Sequence, residues 1–389
     1  MSSSPVPSLL SPERRTALFY LSLFLTSGAA TAYGGIWLNE MGLTEGQIGV
    51  INATPILFML ILSLVVGRLA DKASDWRQTI VLCSVLSGIA AIGLLWSFTF
   101  WPILIFVSAV GIAHSSMVPV IDAAAMRMTR RRGTDFGTMR AWGTVGYLVL
   151  LVATGYLAEH FGPSVYVPLF VTLALIRAAT AFILPRFRAP DSDKAPVGAT
   201  KLLQVMKPWF VLPLFGFAIL FASHLILNAF QGLLWQRQGI GVETIGILIA
   251  LGALSETAMF FLFGKFAGRL PARVWLLISG LVTVCRWVAF GFEPGVPLLV
   301  GLQLLHGITY GLGFMACVNF ISNWTAEDIA AEAQSFFVLL QQGMSVLSLT
   351  VFGLLIPIYG VHSYFFSAAF AALGVICVAL SLRLQSPAT

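Results

Sequence analysis

Two carboxylates stand where a carboxylate is costly. Of the 16 acidic residues in the chain, only Asp122 and Glu256 lie deep inside long apolar runs, and a charge at mid-bilayer depth costs roughly 2.5–3.5 kcal/mol on insertion scales. Protonation removes most of that cost, so an acid placed there can bind and release a proton as its surroundings change. Two groups of complementary chemistry, Arg286 and His306, sit in the apolar runs that follow Glu256. Counting about 1.5 Å per residue along a helix puts Glu256 and His306 at similar depth, with Arg286 within reach of its long side chain. A carboxylate, a guanidinium and an imidazole so placed form one titratable cluster. The competing interpretation is a fixed ion pair that clips helices together. That role is expected for Asp122 with Arg140, and proton coupling for Glu256 with His306 and Arg286.

Polar residues also recur at helical spacing. His224, Asn228, Gln231 and Trp235 share one face, as do Gln303, His306 and Tyr310, while Tyr33 with Trp37 and Gln334, Gln341 with Ser345 repeat the pattern elsewhere. Hydrogen bonding between helices requires the same spacing, but four agreeing stripes point to a shared aqueous cavity. The expected solute contacts are Tyr33, Trp37, Asn228, Gln231, Arg286 and Gln303. Arginine offers a bidentate partner for a carboxylate, and Tyr33, Trp37 and Trp287 offer aromatic faces. Arg177, near a helix end, is expected to snorkel.

The elements that must position these groups are membrane-spanning helices. The chain is 58% hydrophobic and 10% charged, whereas soluble domains average about 45–50% and about 25%. Stretches near the ~20 residues needed to cross a bilayer predict twelve helices, over 16–39, 46–70, 77–98, 101–128, 139–160, 165–184, 207–236, 243–267, 273–292, 297–325, 332–358 and 362–384. The second half repeats the first at a nearly constant offset: Gly34 and Trp37 return as Gly232 and Trp235, and Gly155, Leu157, Gly162 and Tyr166 as Gly353, Leu355, Gly360 and Tyr364. The expected fold is therefore an all-α membrane protein of two pseudo-symmetric six-helix halves, 1–184 and 207–389, joined by a cytoplasmic linker over 185–206. This is the construction plan of major facilitator transporters.

Nearly all of the 22 Lys and Arg residues fall on one side of this arrangement, which predicts cytoplasmic termini by the positive-inside rule. The formal net charge of +6 then reflects topology rather than nucleic-acid binding. Cys83, Cys285, Cys317 and Cys377 lie within predicted helices without metal-ligand spacing, so buried thiols are expected, with no disulfide, metal or cofactor. The polar N-terminus precedes an apolar run too long for a signal-peptide core. Asp135-Phe136-Gly137 spells a kinase tripeptide in a basic loop with no catalytic context.

The run Pro119-Val120-Ile121-Asp122, followed by Phe136-Gly137-Thr138-Met139-Arg140-Ala141-Trp142-Gly143-Thr144-Val145-Gly146, resembles the phenylpropionate permease group, relatives of lactose permease and of nucleoside–proton symporters. Ser255-Glu256, Arg286-Trp287 and Leu305-His306-Gly307 carry the same resemblance, and Gly67 to Lys72 looks like the facilitator gating loop, with Gly67 and Asp71 as its marks. The resemblance implies that Glu256, Arg286 and His306 serve substrate and proton coupling, and that Asp122 and Arg140 hold two helices together. One departure stands out. Lactose permease has a second glutamate one turn after its histidine, where this chain has Thr309 and Tyr310, which weakens a sugar assignment.

The expected function is a non-enzymatic secondary transporter, a proton symporter of the bacterial inner membrane working by alternating access on a small organic solute such as an aromatic carboxylate. Its partners are that solute, protons and lipid, and a monomer suffices. The alternatives are a proton-coupled exporter of amphipathic compounds, a nucleoside or sugar symporter and, outside transport, a membrane assembly factor or sensor on the same scaffold.

Overall fold

The computed structural model describes residues 10–72, 75–187, 206–324 and 327–384, without the side chains of 61, 63–72, 130 and 327–332. Among the described residues, helices carry nearly the whole chain. They are α1 Pro12–Glu40, α2 Glu45–Lys72, α3 Trp76–Gly93, α4 Phe100–Arg132, α5 Phe136–Phe161, α6 Tyr166–Phe182, α7 Pro208–Ser223, α8 Leu225–Arg237, α9 Val242–Phe263, α10 Ala272–Gly291, α11 Val296–Leu304, α12 Gly313–Trp324, α13 Glu327–Tyr359 and α14 Ser363–Arg383. Ten stretches of the described residues are long and apolar enough to cross a membrane. One of them, Ala333–Arg383, contains two helices separated by the turn Gly360–His362.

Local chemistry sets the helix ends. Asp135, in the set-aside tripeptide, caps α5: its carboxylate accepts the Thr138 N–H and the Thr138 hydroxyl, both at 2.6 Å. Those bonds, the hydroxyl's first, hold its pKa below the usual carboxylate value. Asp75 caps α3 through the Arg77 N–H and also accepts the Phe187 N–H, each at 2.9 Å, tying the start of α3 to the chain beyond α6. Gly133, at φ 66°, ends α4 in the left-handed conformation that favours glycine.

Two predicted helices are interrupted. The expected 207–236 helix breaks at His224, whose N–H bonds Phe221 three residues back at 3.0 Å. The expected 297–325 helix passes through a π-helical stretch, Gly307–Leu312. Helix α2 continues to Lys72, so Gly67 and Asp71 fall within helix backbone rather than a loop. Their side chains, and Ser192 in the predicted linker, lie outside the described residues.

The chain resolves into two compact units, one of residues 1–30 with 61–192 and one of 31–60 with 193–389. In the first, α3 packs against α4 and α6, around a core that includes Phe19, Tyr20, Leu23, Met117 and Ile121. In the second, α14 packs against α7 and α10, and α9 against the π-helical stretch.

Candidate functional site

The π-helical stretch creates the site in the second unit. Gly307 approaches α9 so closely that a Cβ on it would stand 2.5 Å from the Ser255 carbonyl oxygen. Side chains of neighbouring helices take over the backbone groups that the irregular turn frees. Ser255 Oγ accepts the Gly307 N–H at 3.0 Å, Ser279 Oγ donates to the Thr309 carbonyl at 3.0 Å, and Arg286 Nε donates to the Leu302 carbonyl at 2.7 Å. Inserted side chains of this kind are a recognised cause of helix irregularity, and π-helical turns gather at functional sites.

Arg286 is fully buried. Besides Leu302 it donates to Gln303 Oε1 at 2.6 Å, to Thr309 Oγ1 at 3.2 Å and to His306 Nδ1 at 3.1 Å. Its guanidinium also lies over the rings of Trp287 and Phe290, at 5.1 and 5.2 Å from their centroids. A guanidinium has no acceptor, so His306 Nδ1 must accept, and the neutral imidazole carries its proton on Nε2. That nitrogen faces Glu256 Oε2 at 3.4 Å. The order Arg286, His306, Glu256 is thus a directed chain of donors ending on the carboxylate. Tyr310 stacks on His306, centroids 5.4 Å apart, and His224 lies 5.6 Å from it. The structure brings together the three residues proposed from sequence for coupling.

The expected solute contacts separate into two kinds. Gln303 is spent on Arg286 and on the Leu248 carbonyl, to which its amide donates at 2.9 Å. Tyr33 donates to both Glu40 oxygens, at 2.9 and 2.7 Å. Tyr33, Trp37, Gln231, Gln303 and Arg286 are all buried, and Asn228 is exposed on an otherwise buried turn of α8.

In the first unit, Arg140 Nε stands 3.4 Å from Asp122 Oδ1, each side chain about a third exposed. The Tyr20 hydroxyl donates to the same oxygen at 2.6 Å, and the Arg140 guanidinium covers the Phe24 ring at 4.3 Å. Arg177 does not snorkel. It is fully buried, donating to Thr26 Oγ1 at 3.1 Å, to His114 Nδ1 at 3.4 Å and to Ser87 Oγ. His114 escaped the sequence reading, since a single histidine on an apolar helix carries no pattern. Among the thiols, Cys285 is exposed rather than buried.

Known proteins share this architecture. The chain is 26% identical over 375 residues to the probable 3-phenylpropionic acid transporter of Escherichia coli (strain K12), covering 94% of this chain and 96% of that protein. It is 23% identical over 337 residues to the maltose permease of Geobacillus stearothermophilus, covering 86% and 85%. The crystal structure of the nucleoside transporter NupG superposes with a TM-score of 0.85 at 16% identity, covering 97% of this chain and 100% of that one. Residues 14–367 match the MFS_1 like family, and the chain, a multi-pass membrane transporter, belongs to that family.

Proposed function

We propose that this protein is a proton-coupled symporter for a small aromatic carboxylate, working by alternating access in a twelve-helix, two-half arrangement with cytoplasmic termini. The observation that carries the proton coupling is the chain from Arg286 through His306 to Glu256. Arg286 occupies His306 Nδ1, so the imidazole cannot take up a second proton without losing that bond. Glu256 is left as the group able to gain and lose one. A proton on Glu256 removes the negative charge that His306 Nε2–H addresses, which loosens the link between α9 and the π-helical stretch. Proton binding is thereby tied to local geometry.

The aromatic carboxylate rests on the similarity to the probable 3-phenylpropionic acid transporter and on the cationic and aromatic side chains of both units. Because Arg286 already serves four protein acceptors, its role in this reading is to orient His306 rather than to clamp solute.

Glu256→Gln imitates the protonated acid. Reconstituted in proteoliposomes with labelled 3-phenylpropionate, it should lose accumulation driven by a proton gradient yet keep solute exchange. His306→Ala should shift the pH dependence of uptake. Gradient-driven uptake by Glu256→Gln at the wild-type rate would move the coupling role to Asp122. A thermal-shift screen against aromatic acids, nucleosides and sugars, in which a bound ligand raises apparent stability, tests the solute class separately.

A further inference from the structure

The two units contain the same device with different endings. In the second unit, a buried arginine donates to Nδ1 of a histidine, and the outward Nε2–H meets the carboxylate of Glu256. In the first, buried Arg177 donates to His114 Nδ1 at 3.4 Å, which again forces the ring proton onto Nε2. Here the outward N–H meets only the Ser27 hydroxyl, at 3.4 Å, the long limit for a hydrogen bond. No protein carboxylate ends this relay among the described contacts.

Charge points the same way. The partners of Arg177 are the neutral groups of Thr26, Ser87 and His114. Phe24 bridges to the second cation, edge-on to His114 with centroids 6.0 Å apart and beneath Arg140 at 4.3 Å. Among the described residues, Asp122 is the single carboxylate bonded into this group, so there two guanidinium groups face one acid and a unit of positive charge is left over. Unlike Arg177, which is fully buried, His114 keeps part of its surface exposed.

We infer that His114, oriented by Arg177, is a specificity-determining donor whose Nε2–H receives the carboxylate of an anionic solute, the solute supplying the acid that Glu256 supplies in the other unit. Phe24 would then lie beside the bound group as an apolar wall. The inference rests on the carboxylate reading of the function and adds to it the residue that selects the anion.

The test compares binding of 3-phenylpropionate and its uncharged isostere 3-phenylpropionamide to the purified full chain by calorimetry. Wild type should prefer the acid. His114→Ala should weaken binding of the acid about ten- to hundredfold, the loss expected for a hydrogen bond to a charged group, and change amide binding less than threefold. His114→Gln, which keeps an N–H near the same position, should recover most of the loss. His114→Phe, which refills the ring volume without a donor, should behave as the alanine variant does and serves in its place if that variant does not fold. Retention of the acid-over-amide preference in the donor-free variants, or equal weakening of both probes, overturns the inference while the carboxylate reading stands. Failure of wild type to bind the acid at all overturns both.

Discussion

Arg140 and Asp122 show how far the value of an ion pair depends on its surroundings. A fully buried pair that loses one partner costs about 3–5 kcal/mol, but these side chains are 29% and 32% exposed, and solvent screening brings the expected coupling down to about 1 kcal/mol. Asp122→Asn and Arg140→Gln should therefore each lower the melting temperature, and the double variant should be less destabilised than their sum by about that amount. Strict additivity in a thermal-unfolding cycle would show that the two do not interact. At this scale the sequence was legible for most charges in apolar surroundings, because few structures tolerate them. Glu256, Arg286, His306, Asp122 and Arg140 stood out for that reason. It was misleading for Arg177, whose neutral partners Thr26, Ser87 and His114 lie on three other helices, and for Gln303, whose polar face serves Arg286.

Helices in this protein meet through glycine. Within the second unit, Gly49 on α2 sits against α13 so tightly that a Cβ would lie 2.6 Å from the Leu349 carbonyl oxygen and 3.2 Å from Gly353 Cα. Gly35 on α1 faces the Ala229 carbonyl of α8 in the same way, at 2.3 Å, and Arg237 at the end of α8 pairs with Glu45 at the start of α2. Close backbone approach is how small residues bind helices where lipid supplies no hydrophobic drive. The obstructing atoms at Gly49 are backbone and cannot rotate away, so Gly49→Ala should destabilise by about 1–3 kcal/mol. Gly301, on α11 with nothing within 4 Å, is the control, and Gly301→Ala should be neutral or stabilise by up to about 1 kcal/mol. Equal melting temperatures for the two variants would remove the seam from the account. Helix existence and approximate ends were legible from apolar length. The π-helical turn was not, because it depends on Ser255, Ser279, Thr283 and Arg286, which reach it from other helices.

For the whole molecule, the asymmetry of Lys and Arg makes a topological prediction. Ser192→Cys in a cysteine-free chain should react with an impermeant thiol reagent only from the cytoplasmic side. Cysteine at Glu293 or Gly360, which occupy turns at φ 54° and 53°, should react from outside intact cells. Labelling of Ser192→Cys from outside would invert the proposed orientation. The two buried arginines bear differently on how the chain is made. Every side-chain acceptor of Arg177 among the described contacts precedes it, by 63 to 151 residues, so these acceptors already exist when its helix is synthesised. Every hydrogen-bond acceptor of Arg286 follows it, by 16 to 23 residues. Helix α10 thus leaves the ribosome with a charge that nothing yet satisfies, at the roughly 2.5–3.5 kcal/mol that such a residue costs on insertion. Its acceptors arrive with the next span, so the guanidinium is satisfied only once the stretch from α11 to α12 has packed against α10.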